Sequence, residues 1–358
     1  MKIGSVTLPS PFAIAPMAGM TDTAFRRLVK RHGGCGLVVT EMVSAEGLVR
    51  GIDRTLEYAE YTEEERPISI QIFGGDPEKM AAAAQIVEGM GADIVDVNMG
   101  CPVPKIAKHN AGCSLMREPE HAAHVIGKMA KAVKIPVTVK MRAGWNDTER
   151  NAPTLAKMME DAGAAAIAVH GRTAAQSYSG TADWDLVKEI ADALTVPVFG
   201  SGDCIEPEQV IARMRSGVEG VLVGRGVLRN PWILAQAADL AAGRPARAIT
   251  LEDRGRFLLY YIDLLRHERV WDRNESRLTN HVESQIPNPE SRAGHDRWVI
   301  NKLRALGSWY TKGLENGSHL RTAINTAESL RVLMITIEDF FSLSAPLHVS
   351  FERHMYFS

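Results

Sequence analysis

Asp93-Ile94-Val95-Asp96-Val97-Asn98-Met99-Gly100-Cys101-Pro102 is an apolar run that breaks into an amide, a glycine, a thiol and a proline. The run reads as a buried strand and the break as the loop at its carboxyl end, which is where barrel enzymes keep their chemistry. Pro102 stiffens the turn and Gly100 removes side-chain bulk, so Cys101 is held with open space beside it. A positioned thiol, mostly protonated at neutral pH, can act as an acid. A lone cysteine is more often a small buried hydrophobe, so the surrounding pattern has to decide.

Outward from this run, seven more of its kind recur: Phe12 to Ala15, Leu37 to Val39, Ile68 to Ile72, Val137 to Lys140, Ile167 to Val169, Val198-Phe199 and Val221 to Val223. Between them lie helix-like stretches such as Pro77 to Met90, Pro119 to Val133, Ala152 to Ala162, Trp184 to Leu194 and Pro207 to Ser216. Gly91-Ala92-Asp93, Gly163-Ala164-Ala165 and Gly217-Val218-Glu219 repeat as links from helix to strand. Near-continuous Val, Ile and Ala, rather than alternation, implies parallel strands covered by helices. The eight units occupy roughly 230 residues, which predicts an α/β fold of the (β/α)₈ TIM-barrel type; a doubly wound sheet is the alternative.

A barrel requires unusual polar residues at strand carboxyl ends. Those ends carry Pro16-Met17-Ala18, Glu41, Gln71, Asn98 with Cys101, Lys140 with Arg142, His170 with Arg172, Gly200-Ser201-Gly202-Asp203 and Gly224-Arg225-Gly226. Scatter would not place polar groups repeatedly at the last position of buried strands, because they are costly there. The two Gly-x-Gly turns close the seventh and eighth strands, where barrels bind phosphate, and Arg225 adds a forked donor. Lys140 supplies a positive charge suited to an anion such as a reduced flavin. Gln71 and His170 can hydrogen-bond a heterocycle edge, although a single buried histidine is as often a core residue.

The chain has 358 residues, 45% apolar and 23% charged, with net charge −2, as expected of a globular protein. It shows no uncharged apolar stretch long enough for a membrane span, and Met1 leads straight into strand-like sequence, so a cytoplasmic location and no membrane partner are expected. Cys35, Cys101, Cys113 and Cys204 form no Cys-x-x-Cys pair, which argues against disulfides and a metal site. Past Gly243 the strand pattern stops: Phe257 to Arg269, Trp298 to Tyr310 and Leu320 to Phe341 read as amphipathic helices, with 272–296 polar and hard to place. We therefore expect a barrel domain, 1–243, and a small all-helical domain, 244–358. The latter holds 16 basic and 14 acidic residues against 25 and 29 in the rest.

Ala15-Pro16-Met17-Ala18-Gly19-Met20-Thr21-Asp22, Gln71-Ile72-Phe73-Gly74, Asp96 to Pro102, Val139-Lys140-Met141-Arg142, Val169-His170-Gly171-Arg172-Thr173, Gly202-Asp203 and Gly224-Arg225-Gly226 together resemble the successive signatures of tRNA-dihydrouridine synthases, in order and over essentially the whole chain. Met99 to Val103 with Lys105, and Ser308-Trp309-Tyr310-Thr311-Lys312-Gly313, resemble the bacterial B-type branch. The resemblance implies reduction of the C5–C6 bond of tRNA uridines to 5,6-dihydrouridine by an FMN enzyme using NADPH, with position 17 of the D-loop suggested by branch. It implies Cys101 as proton donor and Asn98 as the residue that positions uracil. It implies FMN contacts from Pro16, Met17, Ala18, Gln71, Lys140, His170, Ser201, Gly202, Asp203, Gly224 and Arg225. RNA contacts are expected from Arg142, Arg172, Arg297, Lys302, Arg304, Lys312 and Arg321, and the active species is expected to be a monomer.

Departures from the family pattern are Ser201 for Asn, Asn110 for Gly, Cys113 for Ser, Ala174 for Arg, and Arg304-Ala305-Leu306 for an Arg-Lys-His run. Asn tolerates left-handed backbone, so the loop at Asn110 should survive. A flavin reductase of a free pyrimidine would share the barrel but not need a basic tail. A vestigial RNA-binding regulator would not need Cys101, Lys140 and Asn98.

Overall fold

The computed structural model describes residues 1–103, 106, 110–267 and 289–343, with 289–292 by backbone alone. Lys105, Lys108, His109 and 272–288 of the polar segment lie outside these residues. The chain divides into two units, Met1–Arg247 and Ala248–Ser358.

In the first unit a two-strand hairpin, β1 (Lys2–Ile3) and β2 (Val6–Thr7), turns through Gly4 at φ +54°. The strands β3 (Phe12–Ile14), β4 (Val38–Val39), β5 (Val43–Ser44), β6 (Ile68–Phe73), β7 (Ile94–Met99), β8 (Val137–Arg142), β9 (Ala166–His170), β10 (Val198–Ser201) and β11 (Gly220–Val223) follow. Their order is β3-β11-β10-β9-β8-β7-β6-β4, parallel throughout, with β5 pairing β6 beyond the end of β4. A parallel bridge between Ala13 and Leu37 joins β3 to the β4 side, with Ile14 N–H donating to Leu37 O at 3.2 Å. Sequential order together with this bridge makes a nearly closed eight-stranded barrel and excludes the doubly wound alternative, whose sheet has two edges.

The continuous apolar runs hide an alternation. One face points outward to the helices. Alternate residues point inward: Ala13 and Ala15, Leu37 and Val39, Ile94, Ala166 and Ala168, Phe199 and Leu222 form one buried cluster with Ile3 and Leu8 of the hairpin, which plugs the amino end. The next inward layer toward the carboxyl end is polar, because the same strand registers align Gln71 with Asp96, Asp96 with Thr138, Asn98 with Lys140, and Arg142 and Ser201 with His170.

Helices begin where the punctuation predicts. Asp22, Asp76 and Asp183 cap helices by accepting from Phe25, Lys79 and Leu186 N–H, and Pro77, Pro119 and Pro207 each open one. Asn110 takes φ +50° and donates to Glu118, so the departure at that position is accommodated.

The second unit holds the helices Leu251–His267, Pro289–Tyr310, Gly317–Thr326 and Leu330–Phe340. The second begins nine residues before the expected start at Trp298, taking 289–296 out of the polar stretch and into helix. The predicted helix Leu320 to Phe341 is split: Ser329 accepts from Val332 N–H and opens a new helix, so the apolar period continues across a break. Phe257 stacks on Tyr310 at 5.5 Å, and the Tyr310 hydroxyl donates to Arg254 O at 2.9 Å. The first unit ends four residues past the expected boundary, since Arg244 and Arg247 both turn back onto the buried carboxylate of Asp239.

Candidate active site at the carboxyl end of the barrel

The inward polar layer is wired as one run of hydrogen bonds. Asp96, on β7, accepts from Thr138 Oγ1 at 2.6 Å and from Gln71 Nε2 at 2.7 Å. Gln71 Oε1 accepts from Asn98 Nδ2 at 2.7 Å, and Asn98 Oδ1 accepts from the N–H groups of Gly100 at 3.1 Å and Cys101 at 2.9 Å. The strand that carries Asn98 therefore also holds the loop that follows it. Cys101 is half-buried, whereas Cys35, Cys113 and Cys204 are buried, with burial pushing their thiols up to about 11, about 12 and about 12. Cys113 N–H donates to Cys101 O at 3.1 Å, closing the loop behind the thiol.

Asp96 was not singled out from the sequence, and it is the interior carboxylate on which this run depends. Burial raises its pKa, outweighing the bonds from Gln71 and Thr138 and the nearby Lys140 charge. The signal available was a charged residue inside an apolar strand, two positions before Asn98 and so on the same face.

Lys140 lies beside Asn98 across β7 and β8. Loss of water, then the Arg142 charge, pulls its pKa down to about 8, with Asp96 opposing. Among the described residues no hydrogen bond holds its ammonium. His170 is buried, and desolvation followed by Lys140, Arg142, Arg172 and Arg225 drives its pKa down to about 2, so its ring is neutral. Arg172 Nη1 lies 3.5 Å from His170 Nε2, which makes that nitrogen the acceptor.

The charged side chains of the mouth are largely engaged within the protein. Arg142 and Arg172, expected among the RNA contacts, are 3% and 2% exposed. Arg142 donates to the carbonyls of Gly100, Thr173 and Ser177; Arg172 donates to Ser179 O, Gly180 O and Asp203 Oδ1. They brace the loops at the mouth. Asp203, expected among the cofactor contacts, spends its carboxylate on Arg172 and on Ala182 N–H, with Arg225 at 3.6 Å, and its backbone takes φ +53°. Ser201 is buried and Gly202 sits at φ +126° with His170 and Ala182 against it. Gly224 is open: a Cβ there would meet nothing nearer than Met17 Sδ at 3.6 Å. Arg225 lies over the exposed ring of Tyr178 at 4.8 Å, and Arg142 over the same ring at 5.7 Å. Nothing in the local sequence marks Tyr178 for these contacts.

The loop after β3 carries Pro16, Met17 and Ala18. Met17 N–H donates to Thr21 Oγ1, which returns its hydrogen to Met17 O, and Gly19 N–H donates to Glu41. The remaining RNA candidates lie in the second unit. Arg297 and Lys312 are exposed, with Lys312 over Trp309 at 4.1 Å and Lys302 over Trp298 at 5.6 Å. Arg304 donates to Asn301 and Ala327 O, and Arg321 reaches Thr311 Oγ1 at 3.5 Å. Among the described residues there is no metal-binding group of His, Cys, Asp and Glu, and no helix long and apolar enough to cross a membrane.

A family model for dihydrouridine synthases matches residues 13–344. A probable tRNA-dihydrouridine synthase of Rickettsia conorii is 35% identical over 345 residues, covering 96% of each chain. The tRNA-dihydrouridine synthase B of Xanthomonas campestris is 34% identical over 357 residues, covering 98% of this chain and 100% of that one. Among solved structures, a 2-naphthoyl-CoA reductase bound to 2-naphthoyl-CoA aligns with TM-score 0.54 at 14% identity, over 74% of this chain and 55% of that one, a likeness of fold.

Proposed function

This chain belongs to the dihydrouridine synthase family, and from that premise we propose that it reduces uridines in tRNA to 5,6-dihydrouridine, as a cytoplasmic monomer using FMN and NADPH. The observation that carries the reading is the Asn98–Cys101 pair, which hangs a half-buried thiol from an interior amide at the mouth of the barrel.

A flavin suits the donor set. Lys140 presents a cation held by no described hydrogen bond, Gln71 keeps one N–H beyond the one given to Asp96, and Gly224 leaves backbone open beside Arg225. Reduced flavin, when bound, supplies hydride for C6 of the uracil. Asn98 would orient the base, Cys101 would deliver a proton to C5, and Lys140 would balance negative charge on the ring system. The electrons would come from NADPH. Neutral His170 would serve as a hydrogen-bonding wall rather than as an acid. Arg297, Lys302, Arg304, Lys312 and Arg321 would contact phosphates of the RNA.

The test is to map dihydrouridine in tRNA from cells with and without the protein, and to measure NADPH oxidation by purified protein with tRNA or free uridine. Dihydrouridine lost at a D-loop position, with tRNA but not uridine consumed, is the expected result. An unchanged map, or turnover of uridine alone, refutes it.

A further inference from the structure

Asp96 is 5% exposed, in a layer where an apolar residue would pack at lower cost than a carboxylate. We propose that Asp96 is a positioning residue, which acts through Gln71 to lock the Asn98 amide in one orientation and thereby holds the backbone of Cys101; this rests on the reading of Cys101 as proton donor.

The argument is one of polarity. The Asp96 oxygen facing Gln71 accepts in the carboxylate, and in the acid too when the proton lies on the oxygen shared with Thr138, so Gln71 turns Nε2 toward Asp96 and is left with Oε1 for Asn98. Asn98 must then turn Nδ2 to Gln71 and is left with Oδ1 for the N–H groups of Gly100 and Cys101. Backbone N–H groups only donate, so the far end demands the same polarity as the near end. With both ends agreeing, neither amide can flip without setting donor against donor. Thr138 Oγ1 takes the other oxygen of Asp96 and keeps the carboxylate from rotating. Strand register explains why the run can form: Gln71 pairs with Asp96 and Asp96 with Thr138 across three adjacent strands.

The test compares Asp96→Asn with Asp96→Leu in the full-length, flavin-loaded protein. The oxygen retained in Asp96→Asn can still accept from Gln71 while the new NH₂ turns to the Thr138 hydroxyl, so the polarity survives; Asp96→Leu removes the acceptor. Hydrogen exchange of the Gly100 and Cys101 amides and alkylation of Cys101 by iodoacetamide are read alongside kcat and KM for tRNA. The other three cysteines are buried and serve as references. For Asp96→Leu we expect exchange about tenfold faster, altered Cys101 alkylation, and kcat lower by about 10²-fold with KM for tRNA little changed. Asp96→Asn should stay within about threefold of the parent on every readout. Parental exchange and kcat in Asp96→Leu overturn the proposal, and so does equal damage from Asp96→Asn, which would assign the effect to charge. Should Asp96→Leu not fold, Gln71→Met cuts the run at its next link and must also speed exchange; unchanged exchange overturns the proposal. Faster exchange in Asp96→Leu, when the parent protein itself reduces no uridine, would sustain the positioning role and refute the function.

Discussion

The Asn98 side chain accepts the Cys101 N–H at 2.9 Å and donates to Gln71 at 2.7 Å, so one amide ties the thiol loop to the barrel wall. Proton delivery needs a fixed donor, and this tie singles out Cys101 over Cys113, which is fully buried on the same loop. Cys101→Ala should oxidise NADPH normally and lose tRNA reduction by about 10²–10⁴-fold. Cys113→Ser should remain within a few-fold of the parent. Rates of both half-reactions decide it, and the reverse pattern would move the acid to Cys113.

Lys140 should make flavin binding depend on pH. Its pKa near 8 means that the ammonium is mostly present at neutral pH and is lost as pH rises through that value, so flavin affinity should fall above about pH 8. Stability of the flavin-free protein runs the other way. The unfolded chain, with an ordinary lysine, binds more protons between about pH 8 and 10.5, so the Lys140 contribution to stability rises with pH in that window. Lys140→Met should flatten both profiles, as read by flavin fluorescence titration and urea unfolding.

His170 should stay neutral across the working range. Its pKa near 2 lies well below the ordinary imidazole value, so its ring carbon and nitrogen NMR shifts should not move between pH 5 and 8. A titration step in that interval would show that burial, Lys140 and the three arginines do not act on it as argued.

Arg26 and Glu65 form an ion pair at 2.7 Å, 2% and 0% exposed, and Arg26 also holds the carbonyls of Thr21 and Glu60. Glu65 accepts in turn from Thr23 and Thr62. Removing one partner strands a buried charge, so Glu65→Ala should cost about 3–5 kcal/mol in urea unfolding. Because Thr21 closes the Met17 turn, flavin affinity should fall with it.

The end of the first unit can be located by truncation. Arg247 donates to both oxygens of Asp239 and to His32 O. A chain ending after Arg247 should therefore be more stable than one ending after Gly243 by on the order of 2 kcal/mol, measured by thermal or urea unfolding. It should keep flavin-dependent NADPH oxidation and lose most tRNA reduction. Equal stability would mean that Asp239 is satisfied by water.

The eight strands, their parallel sense and the gathering of polar residues at their carboxyl ends were legible in the sequence, because apolar runs and the residues that interrupt them are local. The turn at Cys101 was legible for the same reason: Gly100 and Pro102 act on their immediate neighbours. The strands β1, β2 and β5, two residues each, are too short to show a period, and the cap at Ser329 is hidden inside an apolar pattern that runs on unbroken. Tertiary structure alone decided which strand face points inward, that β3 meets Leu37, and that Asp96, Arg142, Arg172 and Asp203 are spent inside the barrel mouth. Arg172 and Asp203 are 31 residues apart and Asp96 and Thr138 are 42 apart. A guanidinium or carboxylate looks the same in sequence whether it faces solvent or a carbonyl, and only the register of neighbouring strands and the path of the loops bring its partner within 3 Å or so.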